Sequence, residues 1–90
     1  MPDALADYLG YCIFFWISDG NEPVHVHICK SNPNKNATKF WVTSNGIELA
    51  KDTGTVEKKD MSHILRYLRK NRLQIIDRWI NYFGKAELKR

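Results

Sequence analysis

Apolar and polar positions alternate with a period of two over the first half of the chain and recur every three to four residues over the second. Tyr11 to Ser18 is aromatic and β-branched, follows Gly10 and precedes Asp19-Gly20-Asn21, which predicts a strand running into a turn. Val24 to Cys29 reads Val-His-Val-His-Ile-Cys and predicts a second strand, closing a hairpin over 11–29. A one-residue slip would turn a whole face around, so the pattern also restricts the register. With Ile13, Phe15 and Ile17 on one face together with Val24, Val26 and Ile28, Ile13 stands opposite Ile28, Phe15 opposite Val26 and Ile17 opposite Val24; slips of two residues keep the same faces. The other face then carries Cys12, Phe14, Trp16, His25, His27 and Cys29.

A polar loop, Ser31 to Asn36, leads to a third predicted strand at Thr38 to Thr43, and Ser44-Asn45-Gly46 turns into a fourth at Ile47 to Lys51. Asn-Gly is a strong hairpin signal, so 38–51 is expected to form the second hairpin. From about Thr55 the apolar positions Met61, Ile64, Leu65, Leu68, Ile75, Ile76, Trp79, Ile80 and Phe83 mark an amphipathic helix. Thr55 or Asp60 is the expected N-cap and Gly84 the C-terminal stop. Arg72 interrupts the apolar stripe and Asn71 is a poor interior residue, so the helix is expected to break near 70–72. The predicted fold is α+β: a four-stranded antiparallel sheet followed by one broken or two C-terminal helices, about 57–70 and 72–84, packed on one sheet face. Residues 1–90 make a single domain, with 85–90 as a frayed basic tail.

The chain has 90 residues, of which 43% are hydrophobic and 12% aromatic, which places it among globular rather than disordered sequences. Its net charge of +4 is a cancellation. Through Glu57, four lysines face seven acids, giving −3; from Lys58 onward, ten basic residues face three acids, giving +7. The first residues lack the basic patch and apolar run of a secretory signal, and the longest apolar stretch, Tyr11 to Ile17, is far shorter than the roughly 20 residues that span a bilayer. A cytoplasmic protein without membrane contact is the expectation, with Cys12 and Cys29 reduced although the register sets them opposite each other. Asn36-Ala37-Thr38 reads as an ordinary turn.

His25-Val26-His27 is the focal motif. Residues two apart on a strand project to the same side roughly 6 to 7 Å apart, which presents two imidazoles to one metal or one phosphate. Two ligands do not close a zinc site, and no metal is favoured; if one binds, Cys29 on the same face completes His25 and His27, with Cys12, Glu22 and the helical His63 as further candidates. No cofactor is expected. The simplest alternative is a pair of histidines packed against Phe14 and Trp16, and the catalytic alternative is His25 and His27 as base and acid. Lys58, Lys59, Arg66, Arg69, Lys70, Arg72 and Arg78 line the polar sides of the helices, either as a solvated face or, with Trp16 on the His face, as a surface for an anionic partner. Gly-rich phosphate loops, paired catalytic carboxylates and Cys-x-x-Cys pairs do not occur, which disfavours kinases, P-loop enzymes and zinc fingers.

Tyr11 to Phe15, the run Asp19-Gly20-Asn21-Glu22-Pro23-Val24-His25-Val26-His27-Ile28, the Ala37-Thr38-Lys39-Phe40-Trp41 segment, Ile47-Glu48-Leu49-Ala50 and Trp79-Ile80-Asn81-Tyr82-Phe83 together resemble a bacterial family of small proteins, the domain-of-unknown-function family 4160. The similarity covers about residues 8–84. The family hallmark, a Pro-containing turn leading into His-x-His, falls on Pro23, His25 and His27, with Val24 where many members carry a second proline. The resemblance implies an intracellular protein encoded beside another small protein, as in a toxin–antitoxin pair. The expected function is an interaction module contacting RNA or that cognate partner; the alternatives are a ribonuclease-like activity of His25 and His27, a metal-binding protein, and a structural domain without a site.

Overall fold

The computed structural model, which describes residues 2–89, has an antiparallel sheet followed by two helices. The strands are β1 (Asp3–Tyr8), β2 (Tyr11–Phe14), β3 (His25–Lys30), β4 (Thr38–Val42) and β5 (Ile47–Lys51), arranged in the order of the sequence. α1 (Lys58–Lys70) and α2 (Arg72–Phe83) follow, and a single turn of 3₁₀ helix (Asp19–Asn21) lies between β2 and β3.

The architecture is the predicted α+β one, with a fifth strand added at the N-terminal edge. β1 is joined to β2 by Leu9 and Gly10, both at positive φ (53° and 82°), the backbone that a two-residue hairpin loop with right-handed strand twist requires. Its partners run Asp3↔Phe14, Leu5↔Ile13 and Tyr8↔Tyr11, so the register slips twice along six residues. Such bulges put neighbours on the same side: Ala4 and Leu5 are both buried. Alternation is the signal by which a strand is read, and here the bulges erase it.

β2 and β3 pair as the pattern predicts, Tyr11↔Lys30 through Phe14↔His27, with Cys12 opposite Cys29 and Ile13 opposite Ile28. The strand stops earlier than expected, however, and Ile17 is 67% exposed rather than part of the core face. The backbone beyond Phe14 is engaged elsewhere: Phe15 N–H donates to Pro2 O at 3.0 Å, and Trp16 N–H donates to Asp19 Oδ2 at 2.8 Å. Those bonds turn the chain out of the ladder before Phe15 and Ile17 pair with Val26 and Val24.

One sheet face carries Ile13, Phe15, Val26, Ile28, Phe40 and Val42 and packs against Ile64, Leu68, Ile75 and Trp79 of the helices. The opposite alternation carries a smaller cluster of Cys12, Phe14, Cys29 and Ala37, with Trp16 packed on it. The helix break falls at Asn71 (φ −107°, ψ 20°), whose side-chain amide donates to Tyr67 O at 2.9 Å. Neither expected N-cap acts as one. Glu57 occupies the cap position without a side-chain capping bond, because Thr55 Oγ1 donates to Asn36 O and the Asp60 carboxylate accepts from Tyr11 Oη at 2.7 Å. Gly84 stops α2 as predicted, at φ 91°.

The C-terminal residues expected to fray are held. Glu87 O accepts from Val24 N–H at 2.8 Å, Thr43 and Lys89 form a parallel bridge, and Lys89 Nζ lies 4.8 Å from the Trp41 ring centroid. The tail thus covers the backbone of the segment leading into β3, whose N–H groups β2 leaves unpaired by ending early; Arg90 lies outside the described residues. Among the described residues no helix is long and apolar enough to cross a membrane.

Candidate functional site

The histidines meet a carboxylate that the sequence reading took only as a turn residue. Asp19 opens the 3₁₀ turn, and that turn folds back on the sheet end because Gly20 lies flat against Phe83: a Cβ there would stand 2.8 Å from Phe83 Cδ1. The Asp19 Oδ2 atom accepts from Trp16 N–H, lies 3.2 Å from His27 Nε2 and 3.1 Å from His25 Nε2. His25 is completely buried, between Trp41 (ring centroids 5.5 Å apart) and Trp79 (5.3 Å). His27 keeps 13% of its side chain exposed and stacks on Phe14 at 5.7 Å with Trp16 at 6.1 Å.

The two imidazoles differ in bonding as well as burial. Nδ1–H of His25 donates to Pro23 O at 2.8 Å, which gives the proline turn a direct role in orienting that ring. Its Nε2, though near Asp19, lies off the line that a hydrogen bond requires and has no hydrogen-bond partner. Burial by itself would raise the Asp19 carboxyl; the contacts with His25 and His27 and the Trp16 amide outweigh it and hold the group well below the usual carboxylate range.

Other expected members of the site lie elsewhere. Cys29 Sγ donates to Asn32 O at 3.1 Å and sits 3.9 Å from Cys12 Sγ, so it completes no ligand set with the histidines, and the two thiols form no disulfide. Glu22 accepts from Lys39 Nζ at 2.7 Å, and that ion pair lowers its carboxyl; Lys39 in turn lies 4.2 Å from the Trp41 ring centroid. His63 is exposed on α1. Burial, with the neighbouring Cys29 sulfur, pushes the Cys12 thiol up to about 11. Relative to a thiol at the ordinary value of 9.0 its thiolate fraction at neutral pH is about 100-fold smaller. Cys12 in the native protein is therefore expected to react with a disulfide reagent at pH 7.5 at least ~100-fold more slowly than a free thiol. Peptide mapping of early labelling checks this, and rapid native labelling of Cys12 contradicts it.

The basic residues divide into two groups. Arg72 does not face solvent as a free charge: its Nε donates to Thr43 O at 2.9 Å, bracing the start of α2 against the β4–β5 turn. That bond is why a cation can stand in the apolar stripe. Arg78 reaches Asp3 O through Nη1 at 3.4 Å. Arg66, Arg69 and Lys70, by contrast, are exposed and line an open groove with Ser62 and Leu65. Arg69 also borders a second, shallower depression at Thr43 to Glu48. Lys58 is exposed, and Lys59 lies 3.9 Å from a Glu57 carboxylate that Lys30 already pairs with. No hydrogen bond, ion pair or ring contact among the described residues joins this group to the Asp19–His25–His27 cluster, and Trp16 belongs with the cluster.

Residues 10–80 match the profile of a family described as a domain of unknown function (DUF4160). No curated protein and no solved structure matches the chain.

Proposed function

The chain belongs to the DUF4160 family, and from its surface we propose that it is a cytoplasmic interaction module that binds RNA along the outer side of α1. The observation that carries this reading is the groove lined by Arg66, Arg69 and Lys70, none of which forms an ion pair among the described residues. Lys59, Arg66, Arg69 and Lys70 recur at helical spacing along about 16 Å of α1, a length that several phosphates of a single strand can follow. A protein partner anchors through side chains in apolar pockets, and Leu65 is the one apolar residue lining this groove. A polyanion needs only phosphate contacts. In a toxin–antitoxin arrangement this is the nucleic-acid surface, with a cognate small protein as the alternative occupant. Catalysis by the histidine pair is not part of the reading, because His25 has no exposed surface with which to meet a substrate.

Fluorescence anisotropy with a labelled single-stranded RNA tests it. Binding is expected to weaken steeply between 50 and 200 mM salt, and the triple variant Arg66→Ala, Arg69→Ala, Lys70→Ala to flatten the log–log salt slope by about 2, at ~0.7 per lost phosphate contact. Salt-independent binding, or a triple variant with the wild-type slope, rejects the surface. Specific capture of an acidic protein through the same residues, with no RNA binding, assigns it to the other occupant.

A further inference from the structure

The buried end of β3 brings together two groups that repel unless something positive lies between them. Donation of Nδ1–H to Pro23 O leaves the lone pair of a neutral His25 ring on Nε2. That nitrogen is sealed from solvent, has no hydrogen-bond partner, and stands 3.1 Å from the Asp19 Oδ2 atom. A lone pair facing a carboxylate oxygen in a dry site is unfavourable, and buried polar atoms are rarely left in this state.

His27 supplies a second nitrogen 3.2 Å from the same oxygen, and one ligand atom from each of Asp19, His25 and His27 lies within 4.8 Å of the others. In a tetrahedral site with bonds of about 2.0 to 2.1 Å, neighbouring ligand atoms stand about 3.3 to 3.4 Å apart. The two nitrogen–oxygen separations are within a few tenths of an ångström of that spacing. The backbone carbonyl on His25 Nδ1 is also the outer contact that orients a metal-binding imidazole.

We propose that Asp19, His25 and His27 bind one divalent transition-metal ion, with zinc as the best match. Two imidazoles and one carboxylate suit zinc and its neighbours; magnesium and calcium take oxygen ligands. The fourth position opens on the His27 side, the least buried part of the cluster, where water or an exogenous donor completes the coordination. Asp19 therefore takes the place that the sequence pattern assigned to Cys29, whose sulfur is turned to Asn32. The site is independent of the α1 groove, and each stands or falls without the other.

The test uses the full chain prepared without a histidine tag and stripped with a chelator. Titration with zinc against a chromophoric competitor is expected to show one equivalent bound, and cobalt to give the visible absorption of a four-coordinate site. Loss of an outer contact to a metal-bound histidine costs roughly 10- to 100-fold in affinity, so loss of a ligand costs more. His27→Ala, at the least buried of the three ligands, is expected to weaken binding by more than about 100-fold, with circular dichroism showing the fold retained. Cys29→Ser is expected to bind as the wild type does. Absence of stoichiometric binding at millimolar zinc overturns the proposal. So does an unaltered affinity in His27→Ala, or loss of binding in Cys29→Ser.

Discussion

Asp19→Ala, measured by urea unfolding in chelating buffer, is expected to lose about 3 kcal/mol of stability, because hydrogen bonds to a charged acceptor contribute about 1.5 to 3 kcal/mol each and at least two end on this carboxylate. Those two are the Trp16 amide and His27 Nε2, and both lie where water does not readily replace the lost acceptor. Asp19→Asn separates charge from shape: its amide oxygen keeps an acceptor for Trp16 N–H, so the loss is expected to be smaller. The sign of the pH dependence follows from the lowered carboxyl. A group depressed in the folded state stabilises fully above its unfolded value, about 3.9 for aspartate, and that contribution fades as pH falls through and below it. Wild-type stability is therefore expected to drop more steeply than that of Asp19→Asn on acidification from pH 5 to 3. Parallel curves for the two proteins, or a loss under about 1 kcal/mol in Asp19→Ala, would show that the carboxylate is only a turn residue.

Trp79→Ala is expected to cost about 3 to 5 kcal/mol, the range for deleting a buried large aromatic. Trp79 is 1% exposed and touches three segments at once: Phe15 past the end of β2 (5.1 Å between ring centroids), Phe83 in α2 (4.4 Å) and His25 in β3 (5.3 Å). The void would lie against the ring that holds the unpaired nitrogen, so the substitution is also expected to admit water to His25. For a 90-residue domain, whose stability is typically about 5 to 14 kcal/mol, the loss is a large part of the whole. Trp79→Phe, which keeps an apolar ring in the site, is expected to recover roughly half of it. An alanine variant with a wild-type urea midpoint would mean that α2 does not close this end of the sheet.

Features set by a residue's own chemistry and spacing were legible in the sequence. Residues on β2 and β3 alternate, so a single register family buries Ile13 and Ile28 together, and the observed pairing is a member of it. The helix break was legible because Asn71 and Arg72 interrupt an otherwise regular stripe. His25 and His27 were legible as a pair because residues two apart share a strand face. β1 was not legible, since its bulges remove the alternation that identifies a strand, and neither was the docked tail, whose hydrogen bond and bridge to the sheet are made by backbone groups that leave no sequence pattern.

The candidate site shows the same division at closer range. Asp-Gly-Asn before a proline is turn chemistry by any local rule, and Cys29 stands at the same strand spacing from His27 as His25 does. Period alone therefore favours the cysteine as third ligand. What decides against it is the early end of β2: the chain leaves the ladder at Phe15, the 3₁₀ turn swings back under Phe83, and the Asp19 carboxylate arrives beside both imidazoles. The charge asymmetry between the two halves was likewise in the sequence, but which cations stay free was decided by tertiary contacts that occupy Arg72 and leave Arg66, Arg69 and Lys70 open. Local propensity and periodicity act over a few neighbouring residues, so they determined the strands that alternate, the helices and the His-x-His spacing. Whether a polar atom is paired, buried or exposed depends on residues distant in sequence, and only the folded chain decided that.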